Sequence, residues 1–585
     1  MSPCDELRQK RCVQALALGL GAWFSLAPST AEACGGTFCD TTLMPVDQSG
    51  EDILFIRDGG EIEVHVRVQY EGEAERFAWL VPLRAVPEIS VGSQPLFDTM
   101  RMRTAPQWVA PKTYECEADV PPPSGGGYFI PGLLDVSAAS EPMIIDQEEV
   151  GAYEVVVLQG GTAAELITFL EDNDYAQDPQ AEDIIQAYLD EGFLFAAVKL
   201  TADANTDEIH PLVFRMPGDE PCVPLRLTAI AAEQDMSVRA YFLGAERWGP
   251  QNYSHVALNP LAYTWIDQGS TLSNPYLELL GLAVDEAGGR AFSTAYSGPS
   301  EIVPTGLIYR QSWDETAFIG LDPIAAIDLI AMQNLNSHPL IQSILLQFVP
   351  PPEDIPATQF WNNIEDYAAL IDWTAWDAEA FADMLAERIV EPGLHALDAL
   401  EAWPVLTRLD TTISPVEMTV DPVFQPLPDL PPVSNQLLVD RLDFCGPEGE
   451  RFSVPVGDAL YPVCLAEGTV TWPDVLKSSP AALRIEKLPA VGPPVVLEDH
   501  SAEIQMAYAE HAQDNPCGGG QPGTGDSGSD SDSGSGLSTG GGASPGSRPG
   551  CSVDAPADQL PARGLALGGL ALLGLAGLRC RGRAR

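Results

Sequence analysis

The chain has 585 residues, 45% of them apolar and 19% charged, an ordinary globular mixture with enough length to bury more than one core. Its 84 acidic residues outnumber 30 basic ones, for a formal net charge of −54. A surface of that sign repels phosphate backbones and excludes nucleic acid as a partner. The acids are dispersed rather than ligand-spaced, so they read as solubilising or salt-tolerant before they read as a metal site, and no metal or other cofactor is expected.

In chain order, Arg8, Lys10 and Arg11 precede the apolar run Val13–Leu26, and Ala31-Glu32-Ala33 supplies small residues at a cleavage site. This is the pattern of a secretory signal over residues 1–33, leaving Cys34 first in the mature chain. Acylation of Cys34 is the minor reading, because Glu32 and Ala31 depart from the residues that precede a lipidated cysteine.

Ile53–Ile56, the Asp58-Gly59-Gly60 turn and the alternating run Ile62, Val64, Val66, Val68 predict a β-hairpin. Its polar face, carrying Glu63, His65 and Arg67, reads as solvated. A strand at 77–81, a short helix at 95–104 and a loop at 121–127 follow. Next come a strand at 154–158, the capping box Thr162-x-x-Glu165 opening a helix, and a second helix at 181–190. Strands at 193–200, 210–215, 223–227 and 237–243 complete a β-rich α+β domain over 34–245.

From 246 to 515 the pattern is more helical, with helices at 275–284, 322–333, 339–348, 358–371 and 375–391. The last is expected to stop at Pro392-Gly393. Trp361, Trp373, Trp376 and Trp403 read as core residues rather than a sugar-binding platform. Short strands and Pro-rich turns fill 405–515. The whole is an α+β chain, largely antiparallel, with inserted helices. A Gly/Ser/Asp-rich stretch at 516–550 cannot bury enough apolar surface to fold and reads as a tether.

Cys4 and Cys12 fall in the signal, and Cys551 and Cys580 in the tail. The remainder, Cys34, Cys39, Cys116, Cys222, Cys445, Cys464 and Cys517, is odd in number and, in an exported protein, mostly disulfide-bonded. Cys34, Cys39, Cys116, Cys222, Cys445 and Cys464 are the candidates for bridges, with Cys445–Cys464 the preferred local pair. Spacing suits no zinc site.

The tail, residues 551–585, holds an apolar run at 564–578 that would form a short helix and ends in an Arg-rich cluster. A membrane span needs ~20 apolar residues, and this run is shorter and Gly-rich, so a retained transmembrane tail anchor with Arg on the cytoplasmic side is the weaker reading. Gly550-Cys551-Ser552, a spacer, the apolar run and the terminal Arg cluster together resemble the MYXO-CTERM sorting tail, which implies cutting by a sorting protease near Cys551 and anchoring there. The processing and anchor residues are thus Ala33, Cys34, Gly550, Cys551 and Ser552.

Further motifs recur in order along the body. They are Ala33-Cys34-Gly35-Gly36-x-Phe38-Cys39, Phe77-Ala78-Trp79-Leu80-Val81-Pro82-Leu83, Ala152-Tyr153-Glu154-Val155-Val156-Val157-Leu158 and Phe195-Ala196-Ala197-Val198-Lys199-Leu200. His210-Pro211-Leu212, Val223-Pro224-Leu225-Arg226-Leu227, Leu406-Thr407-Arg408-Leu409-Asp410-Thr411-Thr412 and Glu417-Met418-Thr419-Val420-Asp421-Pro422-Val423-Phe424 continue the set. Over about residues 34–430 it resembles the bacterial domain-of-unknown-function 2330 family. That resemblance implies secretion and carries over no catalytic residue.

No nucleophile elbow, zincin helix or phosphate-binding loop is present in the sequence. The histidines, His65, His210, His255, His338, His395, His500 and His511, are scattered. The sequence therefore points to an exported cell-envelope protein on the outer-membrane surface, non-catalytic, that binds a protein or polysaccharide or serves a structural role. The alternative is a surface-displayed hydrolase of envelope or extracellular polymers.

Overall fold

Gly59 and Gly60 have positive φ, 59° and 96°, and turn the chain tightly between strands Asp47–Asp58 and Glu61–Glu71, as the sequence predicts. In this computed structural model the described residues are 47–71, 78–114, 144–173, 181–201, 204, 206–230, 232–266, 274–444 and 449–517. The signal segment, Ala33, Cys34, Cys39, Cys116, Cys445, Gly550, Cys551, Ser552, the tether beyond Cys517 and the whole tail lie outside them.

The hairpin sits within a ten-stranded sheet. Its order is Val495–Asp499, Ala482–Lys487, Ser254–Leu258, Ala291–Pro299, Val405–Ile413, Ala232–Gly244, Asp47–Asp58, Glu61–Glu71, Leu212–Pro217 and Glu88–Val91. Most pairs are antiparallel; Asp47–Asp58 runs parallel to Ala232–Gly244, and Ser254–Leu258 parallel to Ala291–Pro299. Strands from both sides of residue 245 are thus hydrogen-bonded into one sheet, and by its contacts Met1–Gly519 forms one unit.

A second sheet has four strands, Ala78–Leu83, Leu194–Leu200, Tyr153–Leu158 and Ile144–Val150. Its inner face packs on the large sheet: Ile53, Phe55, Val66 and Phe214 share one core with Trp79, Val81, Val155 and Val198. Its outer face, with Leu80, Val156 and Phe195, is covered by helices Ala163–Asp172 and Ala181–Asp190. The first of these opens on the expected capping box, in which Thr162 N donates to Glu165 Oε2 at 2.8 Å and Glu165 N to Thr162 Oγ1 at 3.3 Å.

The far face of the large sheet is covered by helices Gln94–Thr104 and Glu391–Ala402, packed on Leu54, Ile56, Tyr241 and Leu406. The layers therefore run helix, sheet, sheet, helix, an α+β sandwich. The polar face of the hairpin is this covered face, so the expectation that it is solvated is corrected: His65 is 1% exposed and Arg67 6%. Arg67, Asp52, Arg239 and Asp410 lie in register across adjacent strands. Asp52 accepts from Arg67 Nη2 at 2.5 Å and from Arg239 Nη1 at 2.7 Å, and Asp98 on the covering helix accepts from Arg67 Nη1.

Helices Pro323–Gln333, Ile341–Phe348, Ala357–Asn362 and Ala378–Leu385 gather a separate core around Phe318, Ile344, Phe360 and Phe381. Trp361 is buried there, Trp376 packs against it, Trp403 packs on the sheet cover and Trp373 is exposed, so these rings form no common surface patch. The predicted helix at 358–371 breaks after Asn362, where the Asn363 side chain bonds back to Gln359 O. The one at 375–391 begins after its cap Asp377 and does not stop at Pro392. A π-helical turn, Ala386–Val390, widens the ladder so that Pro392, which brings no N–H, is absorbed and the helix runs on to Ala402. Val223–Leu227, expected as a strand, instead turns into the short helix Leu225–Thr228 after Pro224.

Among the described cysteines, Cys464 pairs with Cys517 and ties a four-stranded sheet, built from Asp440–Asp443, Glu450–Val456, Ala459–Leu465 and Lys112–Tyr114, to the end of helix Ser501–Asp514. This replaces the expected Cys445–Cys464 pair. Cys222 is a free thiol. Among the described residues no helix is long and apolar enough to cross a membrane.

Candidate functional site

Where the two sheets diverge they leave a cavity of about 360 Å³. Side chains alternate along a strand, so Glu51, Ile53 and Phe55 all face it, joined by Ile62, Val64 and Val66 from the next strand. Trp79, Val81 and Leu83 supply the opposite wall. At one end Arg84, Asp219 and Glu220 are exposed and rim the opening, with Arg84 stacked over the Phe193 ring and 3.9 Å from Glu220. Cys222 lines the same end; burial pushes its thiol up to about 12, so it stays a protonated, unreactive wall atom.

Glu51 belongs to the inner end, four residues or ~13 Å along the strand from Phe55. It is 2% exposed, and its Oε2 has no hydrogen-bond partner among the described residues. Burial, with the neighbouring Asp52 charge adding to it, raises its carboxyl to about 7. Below neutral pH the cavity thus ends in a carboxylic acid able to donate as well as accept. An apolar chamber of this size with one convergent polar group is the form of a small-molecule site, whose volumes run ~300–1,000 Å³.

A second cluster lies on the opposite face of the large sheet. Glu63 and His65, two apart on one strand, share that face, and the continued helix brings His395 to them. Glu63 Oε1 is 2.6 Å from His65 Nε2 and 2.7 Å from His395 Nε2, and the two imidazoles are stacked at 5.6 Å. Burial pushes the Glu63 carboxyl up, but the hydrogen bonds from His395 and His65 prevail and hold it well below the usual carboxylate range. The bond to Glu63 raises His395 above the ordinary histidine value. His395 borders two clefts, about 330 Å³ and 190 Å³.

The sequence placed His65 and Arg67 together on a face expected to be solvated; the structure buries both and gives each a different partner, Glu63 for His65 and Asp52 with Asp98 for Arg67. No sequence signal links His65 to His395, because the helix that carries His395 lies beyond a Pro-Gly stop. Glu51 was missed for a related reason: one carboxylate in an alternating strand looks like any other until the second sheet is placed over it. Of the sequence-predicted site residues, Cys222 reaches the cavity and Cys464 a disulfide; Ala33, Cys34, Cys39, Cys116, Cys445, Gly550, Cys551 and Ser552 are outside the described residues.

No curated protein matches the chain. Two solved structures of baculovirus proteins align with parts of it: a mutated baculovirus P35 after caspase cleavage, 11% identical over 38% of this chain and 78% of that one, and baculovirus P35, 13% identical over 39% and 73%. Both have a TM-score of 0.22, too low to carry fold or function across. A family model matches residues 28–419, and the chain belongs to that family, described as an uncharacterized protein conserved in bacteria, DUF2330.

Proposed function

We propose that this is an exported protein held at the outer surface of the cell envelope, and that its body binds one extended apolar molecule between the two sheets. The observation that carries the binding reading is the 360 Å³ apolar cavity closed at its inner end by Glu51, whose Oε2 has no hydrogen-bond partner among the described residues. Glu51 selects a ligand with a hydroxyl or carbonyl near its buried end, while the exposed Arg84, Asp219 and Glu220 give the opening a polar rim. The signal-like residues 1–33, the tether at 516–550 and the MYXO-CTERM-like tail with Cys551 support export and anchoring through a sorting protease. That Trp361, Trp373, Trp376 and Trp403 share no surface favours this chamber over a polysaccharide platform built from them.

A long-chain fatty acid carrying a fluorophore tests the binding reading. Saturable binding of one equivalent, displaced by unlabelled long-chain acid, is expected; no saturable binding contradicts it. Mass spectrometry of the C-terminal peptide from envelope fractions tests the anchor. A mature end at Cys551 is expected, and an intact Arg585 end contradicts cutting.

A further inference from the structure

We propose that Glu63, His65 and His395 form a divalent transition-metal site, open to solvent through two carboxylate-lined clefts and joining the large sheet to the helix Glu391–Ala402. Their donor atoms, one carboxylate oxygen and two imidazole nitrogens, lie within 4.8 Å of one another. First-row ions bind histidine nitrogen at ~2.0–2.1 Å and carboxylate oxygen at ~2.0–2.2 Å, so an ion fits after shifts of about an ångström shared among three side chains. Two imidazoles with one carboxylate suit zinc, iron, manganese or nickel, whereas calcium and magnesium prefer all-oxygen shells.

The donors are held on different elements, which fixes their convergence. Glu63 and His65 are locked in the sheet by pairing on both sides, to Ile56 and Leu54 on one strand and to Arg215 and Val213 on the other. His395 is placed by the π turn, whose Arg388 donates to Glu208 and to Gly151 O at 2.7 Å each. Without an ion, two imidazole N–H groups crowd one carboxylate oxygen; an ion replaces both protons. His65 Nδ1 is buried with no hydrogen-bond partner among the described residues, so the ring proton can move there and free Nε2 to coordinate, at the cost of a buried N–H without an acceptor. The missing outer acceptor also denies the ring the support that tight sites have, which fits an exchangeable ion.

The surroundings favour a cation and leave it room. His395 is 45% exposed at its side chain, so the site keeps open positions for water or a ligand. Glu149 and Glu391 line the larger cleft, and Asp58, Glu61 and Asp398 the smaller. Arg215, the cation bordering the smaller cleft, is already held by Glu61 at 2.6 Å.

The full chain, without a polyhistidine tag and stripped with chelator, is titrated calorimetrically with zinc chloride, with calcium and magnesium as controls. One equivalent of zinc is expected, unaffected by excess calcium, together with a rise in melting temperature. Cobalt(II) is expected to give the visible absorption of a nitrogen–oxygen shell. His395→Gln, at an exposed position, and Glu63→Gln should lose the equivalent while circular dichroism stays native. No stoichiometric binding by the wild-type chain, or equal binding by a folded variant of either kind, overturns the proposal. Should one variant misfold, the other decides alone; should both, the cobalt spectrum of the wild-type chain decides.

Discussion

Asp52 Oδ1 accepts a hydrogen bond from Arg239 Nη1 at 2.7 Å on neighbouring parallel strands, and both side chains are buried in the middle of the large sheet. Asp52 also takes Arg67, so it bridges two guanidinium groups beneath the helix Gln94–Thr104, whose Asp98 takes the other end of Arg67. Burial alone pushes Asp52 up, but the Arg239 and Arg67 charges and hydrogen bonds outweigh it and hold its carboxyl below the ordinary value. Removing one partner of such a buried group costs ~3–5 kcal/mol, because the remaining charge is left uncompensated. Asp52→Asn should therefore lower unfolding stability by about that amount in denaturant titrations. Replacing Asp52, Arg67 and Arg239 together by apolar residues should cost less than the single change.

Acid should weaken the fold through two neutral histidines. Burial lowers His210 and His338 from 6.5 to about 4. His210 is built for the neutral form: its Nδ1 donates to Pro211 O and its Nε2 accepts from Ala152 N. A histidine whose folded pKa is depressed stabilises the fold above the unfolded value, and that contribution falls as pH drops from 6.5 to 4. Each depression is worth roughly 3 kcal/mol at 1.36 kcal/mol per pKa unit. Glu51 acts oppositely, since its folded pKa is raised, so the comparison is made variant by variant. His338→Gln should reduce the loss of stability between pH 6.5 and 4.5 relative to wild type, measured as urea midpoints at both.

Glu51→Gln should stabilise the protein at alkaline pH. A carboxyl raised from 4.5 to about 7 destabilises the fold progressively as pH rises through that window. Above it the cost reaches roughly 3 kcal/mol. The variant should therefore melt above wild type at pH 8.5 and converge with it near pH 4.5. Equal melting temperatures at pH 8.5 would show that Glu51 reaches water in solution.

Breaking the Cys464–Cys517 bridge should loosen the C-terminal sheet. The bridge spans 53 residues, and closing a loop of that length removes chain entropy worth about 4 kcal/mol from the unfolded state. Cys517→Ala should give a first unfolding transition at lower denaturant, matched by wild type under reducing conditions and absent from oxidised wild type.

Local signals were readable in the sequence, and long-range ones were not. The Asp58-Gly59-Gly60 turn, the Thr162–Glu165 box and the helix Pro275–Glu286 are set by residues within a few positions of one another, and each is found where expected. Alternation along Glu61–Glu71 showed which residues share a face, but not that helices from positions 94 and 391 cover the polar one. Pro392 normally ends a helix, and only the π turn before it, held by Arg388 on Gly151 O, carries the helix on to His395. Cys464 found Cys517 because helix Ser501–Asp514 returns the chain to its strand, a tertiary event with no local mark.

A ligand seated in the intersheet cavity should be excluded by a side chain that fills it. Val64 lines the cavity at a partly buried position, so Val64→Trp fills the space without emptying the core. Calorimetric titration of wild type and Val64→Trp with a long-chain fatty acid should give one equivalent in the first and at least a tenfold weaker affinity, ~1.4 kcal/mol, in the second. Equal affinity in a natively folded Val64→Trp protein would place the ligand outside the cavity and overturn the binding reading.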